Sequence, residues 1–556
     1  KNVLIGHNAG DGMTDNYQSI AIGYSALGAA NGGENSNVAI GAYALSTETS
    51  DADGCVAVGT YALQDQNRDA SANTAIGHKA LTNLGGGVTY GGKKNTAVGY
   101  QAGGNGVFGG GSDGGDNVYG SENTLLGYNA GYAVTTGQDN VMIGSSAGVN
   151  LTEGSNNVLL GKKAGMVFTD NIGNIAIGNY AMDAAAAGEH NNVAIGIGAL
   201  GTENSNASYC VAIGHSALVT QNADKKNTAI GGLAGDAITS GGNNTLVGYL
   251  AGSAIAGTAE NTAVGHMAYA KGTGAYNTVI GSGAGSSVLN TGTALSSNDN
   301  VIIGFNAGHT LSTGSASAGQ NVLIGKNAGK LMSTCISNTV VGAYAADAVA
   351  AGAANNVVLG HNALGGSTVA ASNNIAIGAA SLSHADYAAA AINIAIGTNA
   401  GDAITSGTKN VLIGHEAGST IATTNNSTAL GFNALKDATD TANTAVGAYA
   451  AVLLGNGNYN TIIGENALAL ADGNESYNTA IGRTALYSLD DDAADGNVAL
   501  GYNAGRYYNS GGSDTAMTKA IDSIYIGNNA RGVHATNADN EIVIGFNAIG
   551  AGANSI

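Results

Sequence analysis

Proline and tryptophan are absent from these 556 residues, phenylalanine occurs five times, cysteine three times, and only 10% of residues are charged. Each shortage removes a class of protein. With no proline and no strict three-residue glycine period, a collagen helix is excluded. Cys55, Cys210 and Cys335 are odd in number and far apart, so no disulfide framework is expected. Lys and Arg total 18 against 38 Asp and Glu, and a net charge of -20 repels nucleic acid and anionic lipid, so neither is expected as a partner. No apolar run is long enough to span a bilayer, and no segment has the pattern of a signal peptide. Disorder is excluded as well, because 44% hydrophobic residues is too apolar for an unfolded acidic chain.

What the chain has instead is repetition. The segments NTAIGHKAL at 73–81, NTAVGYQAG at 95–103 and NNVAIGIGAL at 191–200 share one core, and aligning on its glycine gives thirty copies, from Gly6 to Gly545. The spacing is mostly 17 or 18 residues. The residue before the glycine is Ile, Val or Leu in every copy, and the residue three before it is Val, Ile or Thr. Between them stands another apolar residue, usually Ala, with Tyr525 the odd one out. Side chains alternate along a strand, so both faces of this one are apolar, which implies burial on both. Seventeen residues punctuated by glycine and asparagine leave no room for a helix, and a β-branched core disfavours one.

The pattern predicts an all-β chain, a parallel β-solenoid or β-roll of about thirty coils of 17–18 residues each, running as one continuous repeat domain over 1–556. Stacked coils place equivalent residues about 4.8 Å apart, so the asparagine four before the glycine is expected to form an amide ladder, as at Asn73, Asn192 and Asn227. Ile76, Ile195 and Ile230 are expected to stack within the sheet. Gly77, Gly196 and Gly231 end the strand where the chain turns sharply, and the alanine three places on, as at Ala80, Ala199 and Ala234, suits a tight corner. Cys55 and Cys210 occupy the asparagine position and read as small packed residues replacing a ladder member. A single coil buries few aliphatic side chains, so other copies are expected to cover part of the sheet, on its alanine-rich face.

Longer spacings mark insertions at about 82–94, 103–123, 286–299, 309–320 and 506–522. Loops on a rigid scaffold are where recognition usually sits. Asp113 and Asp116 are candidates for a calcium or other ion site, and Tyr507 and Tyr508 for stacking on sugar. The acidic DDDAAD at 490–495 reads as a solvated face. GSSAG at 144–148 fits a nucleophile elbow around Ser146, and GNGVFG at 104–109 and GIGALG at 196–201 fit G-x-G-x-x-G, but each is the repeat itself with no helix after it. No acid, base and nucleophile set converges, so an enzyme is not expected, and no cofactor either. An ice binder would want outward threonine rows; Thr74 and Thr96 share a position with valine and are expected to point into the core.

The quoted repeats resemble the head repeats of YadA-like trimeric autotransporter adhesins, whose NSVAIG-type motif marks coils of a left-handed parallel β-roll. They look more like the long repeat regions of bacteriophage and prophage tail fibres. NEIVIGFNAIGAGANSI at 540–556 is similar to the stretch that precedes a chaperone domain in many such fibres, so the sequence is expected to be part of a longer protein. The resemblance implies a homotrimeric, extracellular fibre shaft of a virion or cell-surface appendage that presents contacts to a glycan or protein receptor; the alternative is the head of a bacterial adhesin. It also gives the histidines a possible role. His7, His78, His215, His266, His361 and His415 directly follow the repeat glycine, and a threefold axis would turn each into three metal ligands. A ring packed at the turn is the competing and simpler expectation.

Overall fold

The computed structural model describes all residues except 31–32, 34, 49–51, 67–69, 85–90, 109–119, 186, 203–206, 223–224, 287–295, 312–318, 367–369, 385–391, 440, 510–513 and 537. The chain is an all-β parallel β-solenoid with no helix among the described residues. It divides into two compact units, Lys1–Ala275 and Tyr276–Ile556. In the first, three-residue strands recur from Val3–Ile5 to Thr262–Val264; in the second, from Thr278–Ile280 to Ile542–Ile544.

Within each unit the repeat strands of the main sheet lie parallel to one another with equivalent residues opposite. Val193, Ala194 and Ile195 face Val211, Ala212 and Ile213 in the first unit. Ile375, Ala376 and Ile377 face Ile394, Ala395 and Ile396 in the second. Insertions do not disturb this register. Thr96 pairs with Thr124 and Val498 with Ile524, equivalent residues on either side of an insertion.

The backbone bonds run almost entirely between coils, which accounts for the stack's cohesion. Around Gly77, the Thr74 amide donates to Asn95 O at 2.8 Å and the Leu81 amide to Ala102 O at 2.9 Å, both in the following coil. The Gly77 amide donates to Val58 O at 2.8 Å and the Lys79 amide to Thr60 O at 3.0 Å, both in the preceding one. Only the corner closes on itself, with the Ala80 amide donating to Gly77 O at 3.3 Å. Lys79 (φ 56°) and Leu81 (φ 46°) flank that alanine in the left-handed region. A larger residue at the corner would have no space; Ala80, Ala199 and Ala234 are all fully buried.

Glycine at the strand end has two causes. At Gly77 φ is 136°, a region closed to residues with a Cβ, and a Cβ placed there would overlap the carbonyl oxygen of Gly99 in the next coil. Gly196 and Gly231 repeat both features against Gly214 and Gly248.

One expectation is reversed. The alanine-rich side of the strand does not face outward: Ala75, Ala194 and Ala229 are fully buried inside the coil. Their neighbours point the other way, Ile76 being 40% and Ile230 38% exposed, with Ile195 half-buried. Thr74 and Thr96 sit on the same outer side, half-buried and exposed respectively, rather than in the core. The interior also holds the corner residue and, in eleven coils, a leucine after it, and Ala194 leaves room for Leu200 there; where glycine follows the corner instead, as at Gly165 and Gly308, the inward place is filled by the larger Leu159 and Ile302.

Candidate functional site

Two surfaces of the coil carry features beyond folding: an internal polar ladder and an external apolar sheet face. The ladder is built as the asparagine periodicity predicts. In the first unit the Asn140 side-chain amide donates to Asn123 Oδ1 at 3.0 Å, and Asn157 donates to Asn140 Oδ1 at 3.0 Å. The same oxygens accept backbone amides, Asn157 N reaching Asn140 Oδ1 at 3.0 Å. The second amide hydrogen goes to a backbone carbonyl, Asn157 Nδ2 to Asn171 O at 2.7 Å. Each asparagine therefore satisfies both ends of its amide in a fully buried position, where an unpaired group would cost about 1–3 kcal/mol. Asn192 continues the ladder to the Cys210 amide at 2.9 Å, and Asn227 to Asn244 at 2.8 Å.

Cys55 and Cys210 interrupt the ladder, and the sequence contains a repair that the periodicity did not reveal. Eleven residues after each cysteine stands a buried glutamine. Gln66 Nε2 reaches Cys55 Sγ at 3.1 Å and also the Ala70 carbonyl, while Gln221 Nε2 reaches Cys210 Sγ at 2.8 Å and its Oε1 accepts from Asn227 Nδ2 at 3.0 Å. Gln221 thus returns the amide that cysteine removes, whereas Gln66 supplies the donor only, its Oε1 being buried without a partner. All three cysteines are buried thiols, and burial raises Cys335 to about 11.

The outer face presents three columns, because residues three before, one before and one after the glycine share a side. In the coil of Thr124–Leu126 these are Thr124, Leu126 and Tyr128, the last two 44% and 54% exposed. Ionisable groups enter only through the third column. His7, Tyr24, His78, Tyr100 and Tyr128 stand there, Tyr43 and Tyr61 one place further on, and the seven rings form a chain along the coils with centroids 5.2–6.0 Å apart, four contacts stacked and two edge-on.

The candidate histidines sit at this turn. His266 stacks on Tyr249 and His415 on Phe432, while His361 meets Tyr344 edge-on. His215 is exposed. Among the described residues no group of three or more His, Cys, Asp or Glu is placed to hold a metal ion. Ser146 occupies an ordinary left-handed turn position with φ 60°.

Asp113 and Asp116 lie outside the described residues. The last insertion is partly a two-stranded antiparallel ribbon, Tyr507–Asn509 with Asp514–Ala516. Arg506 lies 4.7 Å from the Tyr507 ring centroid and 4.6 Å from that of Tyr487, and Tyr508 makes a backbone bridge to Gly532. Both tyrosines are half-buried.

One buried acid was not visible in the sequence. Glu475 is fully buried, its Oε2 accepting from the Gly473 amide at 3.0 Å while Oε1 has no partner. Burial, with Asp472 and Asp492 adding repulsion, raises its carboxyl to about 7. Because the folded value lies above the unfolded one, the folded chain holds this proton between about pH 4.5 and 7, and stability is lost as pH rises through that window. Glu475→Gln is expected to raise stability above pH 7 by up to about 3 kcal/mol and to change little below pH 4.5, as read from denaturant unfolding at both pH values.

No helix among the described residues is long and apolar enough to cross a membrane. Comparison of the chain with protein-family models and with curated proteins finds no match.

Proposed function

We propose that this chain is a structural, non-catalytic segment of an extracellular fibre, a tail-fibre-like shaft that assembles with copies of itself and spaces receptor or glycan contacts from a base. The observation that carries this reading is the outer sheet face: rows of Val, Ile, Leu and Thr, in register, left open by a single chain. Fifteen coils at about 4.8 Å each, with a face about 10 Å wide, present roughly 700 Å² per unit, close to the ~800 Å² per partner of a standard protein interface. Exposed apolar patches of this size mark interaction surfaces. A second copy is the occupant that fits best, because it offers the same rows at the same repeat. Three copies is the number that the adhesin-head and tail-fibre resemblance implies.

Sedimentation equilibrium tests this. The expected mass is three times the 54.2 kDa of the chain. Ile195→Asp, on the outer face, is expected to weaken assembly at least about tenfold by placing like charges at a dry contact, with the β-sheet circular dichroism retained. A wild-type monomer at micromolar concentration would overturn the proposal. The outward threonines remove the earlier objection to an ice-binding face, so a monomer that shapes growing ice crystals would assign the face to ice instead.

A further inference from the structure

Polar side chains at the turns of this solenoid are usually paired with the neighbouring coil. Thr135 Oγ1 donates to Thr152 O at 3.0 Å, Thr239 Oγ1 to Ala256 O at 3.1 Å and Thr310 Oγ1 to Lys330 O at 2.9 Å. In the first four coils Thr47 follows this rule, its Oγ1 donating to Gln64 O at 2.5 Å, but other turn side chains there do not. There a groove of about 340 Å³ is lined by Asn8, Asp11, Ser25, Tyr43, Ser46 and Gln64. The side chains of Asn8, Asp11, Ser25 and Gln64 have no hydrogen-bond or ion-pair partner among the described residues. The groove exists because Ser25 is small at a position where the next coil carries Tyr43, and because Gly28 and Ala29 form its floor.

Its chemistry narrows the ligand. Asn8 and Gln64 each offer a donor and an acceptor, Ser25 a hydroxyl, and Asp11 an acceptor. The lining holds no cation, and the chain's net charge of -20 opposes an anionic ligand. Tyr43 contributes a wall rather than a stacking platform, since its ring lies between Tyr24 and Tyr61, 5.2 Å from each. Asn8 and Ser25 stand in one column, one coil rise of about 4.8 Å apart, while Asp11 and Gln64 stand in another three coils apart, with Gly28 and Ser46 between them. A ligand that both donates and accepts at polar groups spread over four coils, without charge, is polyhydroxylated and extended.

We infer that this groove binds a short neutral oligosaccharide lying along the first four coils, hydrogen-bonded by Asn8, Asp11, Ser25 and Gln64. The site lies on the turn side of the coil and borders the outer face at Tyr43, whose ring meets Tyr24. The inference deepens the fibre reading, and rests on it only for the glycan's being met outside a cell.

The full chain is to be screened on an array of neutral oligosaccharides of hexoses, deoxyhexoses and N-acetylhexosamines, and any ligand retained quantified by calorimetric titration. Ser25→Tyr fills the groove with a residue the backbone already accommodates one coil later, Ser25 and Tyr43 having φ of 52° and 58°. At least about a tenfold loss of affinity is expected in Ser25→Tyr, and a similar loss in Asn8→Ala/Gln64→Ala, from two or more hydrogen bonds removed. Thermal melting and sedimentation mass are expected to stay unchanged, which separates this result from any failure of assembly. Retention of no neutral oligosaccharide, or equal affinity in Ser25→Tyr, would overturn the inference, as would binding confined to amine-bearing ligands and abolished by Asp11→Asn alone.

Discussion

Gly196→Ala is expected to be among the most damaging single substitutions in the chain, costing more than about 4 kcal/mol. At φ 139° an alanine carries a backbone penalty of roughly 1–3 kcal/mol. Its Cβ would also overlap the carbonyl oxygen of Gly214, a residue held in the stack by the hydrogen bond its amide donates to Ile195 O at 2.7 Å. In a solenoid each coil rests only on its neighbours, so the damage is expected to open a stretch around residue 196 before the rest of the unit. Limited proteolysis with mass mapping reads this as new cleavage near the affected coils. Gly232→Ala is the control: its φ is not in the left-handed region, and nothing comes closer than 3.5 Å to an added Cβ. That variant should melt like the wild type. Equal stability of the two alanine variants would remove the stacked-glycine explanation.

Ala194→Asp is the second. Ala194 is fully buried, stacked between Ala176 and Ala212 in the parallel sheet. An unpaired carboxylate there meets only apolar neighbours, and breaking the core this way is expected to cost several kcal/mol even after its protonation is favoured. The adjacent Ile195→Asp differs in kind, because its side chain leaves the coil. One substitution should therefore lower the unfolding midpoint of the chain itself, and its neighbour should chiefly lower its assembly. Chemical unfolding at a fixed protein concentration, read beside sedimentation, separates the two effects.

The contrast between residues 194 and 195 also shows where sequence reading reached its limit. The strands, their parallel register, the asparagine ladder and the glycine and alanine corners followed from fixed spacing, since a stack imposes identical demands on each coil. The side of the strand that faces inward did not follow. A period of two orients a strand only when one face is polar, and here Val193, Ala194 and Ile195 are all apolar. The usable signal was the joint volume of two positions: Ala194 stands where Leu200 follows the corner Ala199, and Leu159 where Gly165 follows the corner Ala164, each pair filling one interior. The repair of the cysteine gaps was legible too, as the same eleven-residue interval in Cys55 to Gln66 and Cys210 to Gln221.

Recognition sites were harder for a different reason. Insertions draw attention in a sequence because they break the period, and Tyr507 was singled out for that; in the fold its ring lies against Arg506. The groove at Asn8 and Ser25 breaks no period. It arises from small and unpaired residues at ordinary turn positions, and becomes visible only when four coils are brought side by side. Glu475 likewise resembles any turn glutamate until its burial is known.

Thiol labelling of Ala194→Cys and Ile195→Cys across a dilution series tests the central claim most directly, with Cys55, Cys210 and Cys335 buried in both variants. A cysteine at 194 is expected to react only on unfolding, and one at 195 to be protected when copies assemble and to react once dilution or mild denaturant separates them. Reaction at 194 in the folded chain, or rapid reaction at 195 at every concentration, would contradict the account.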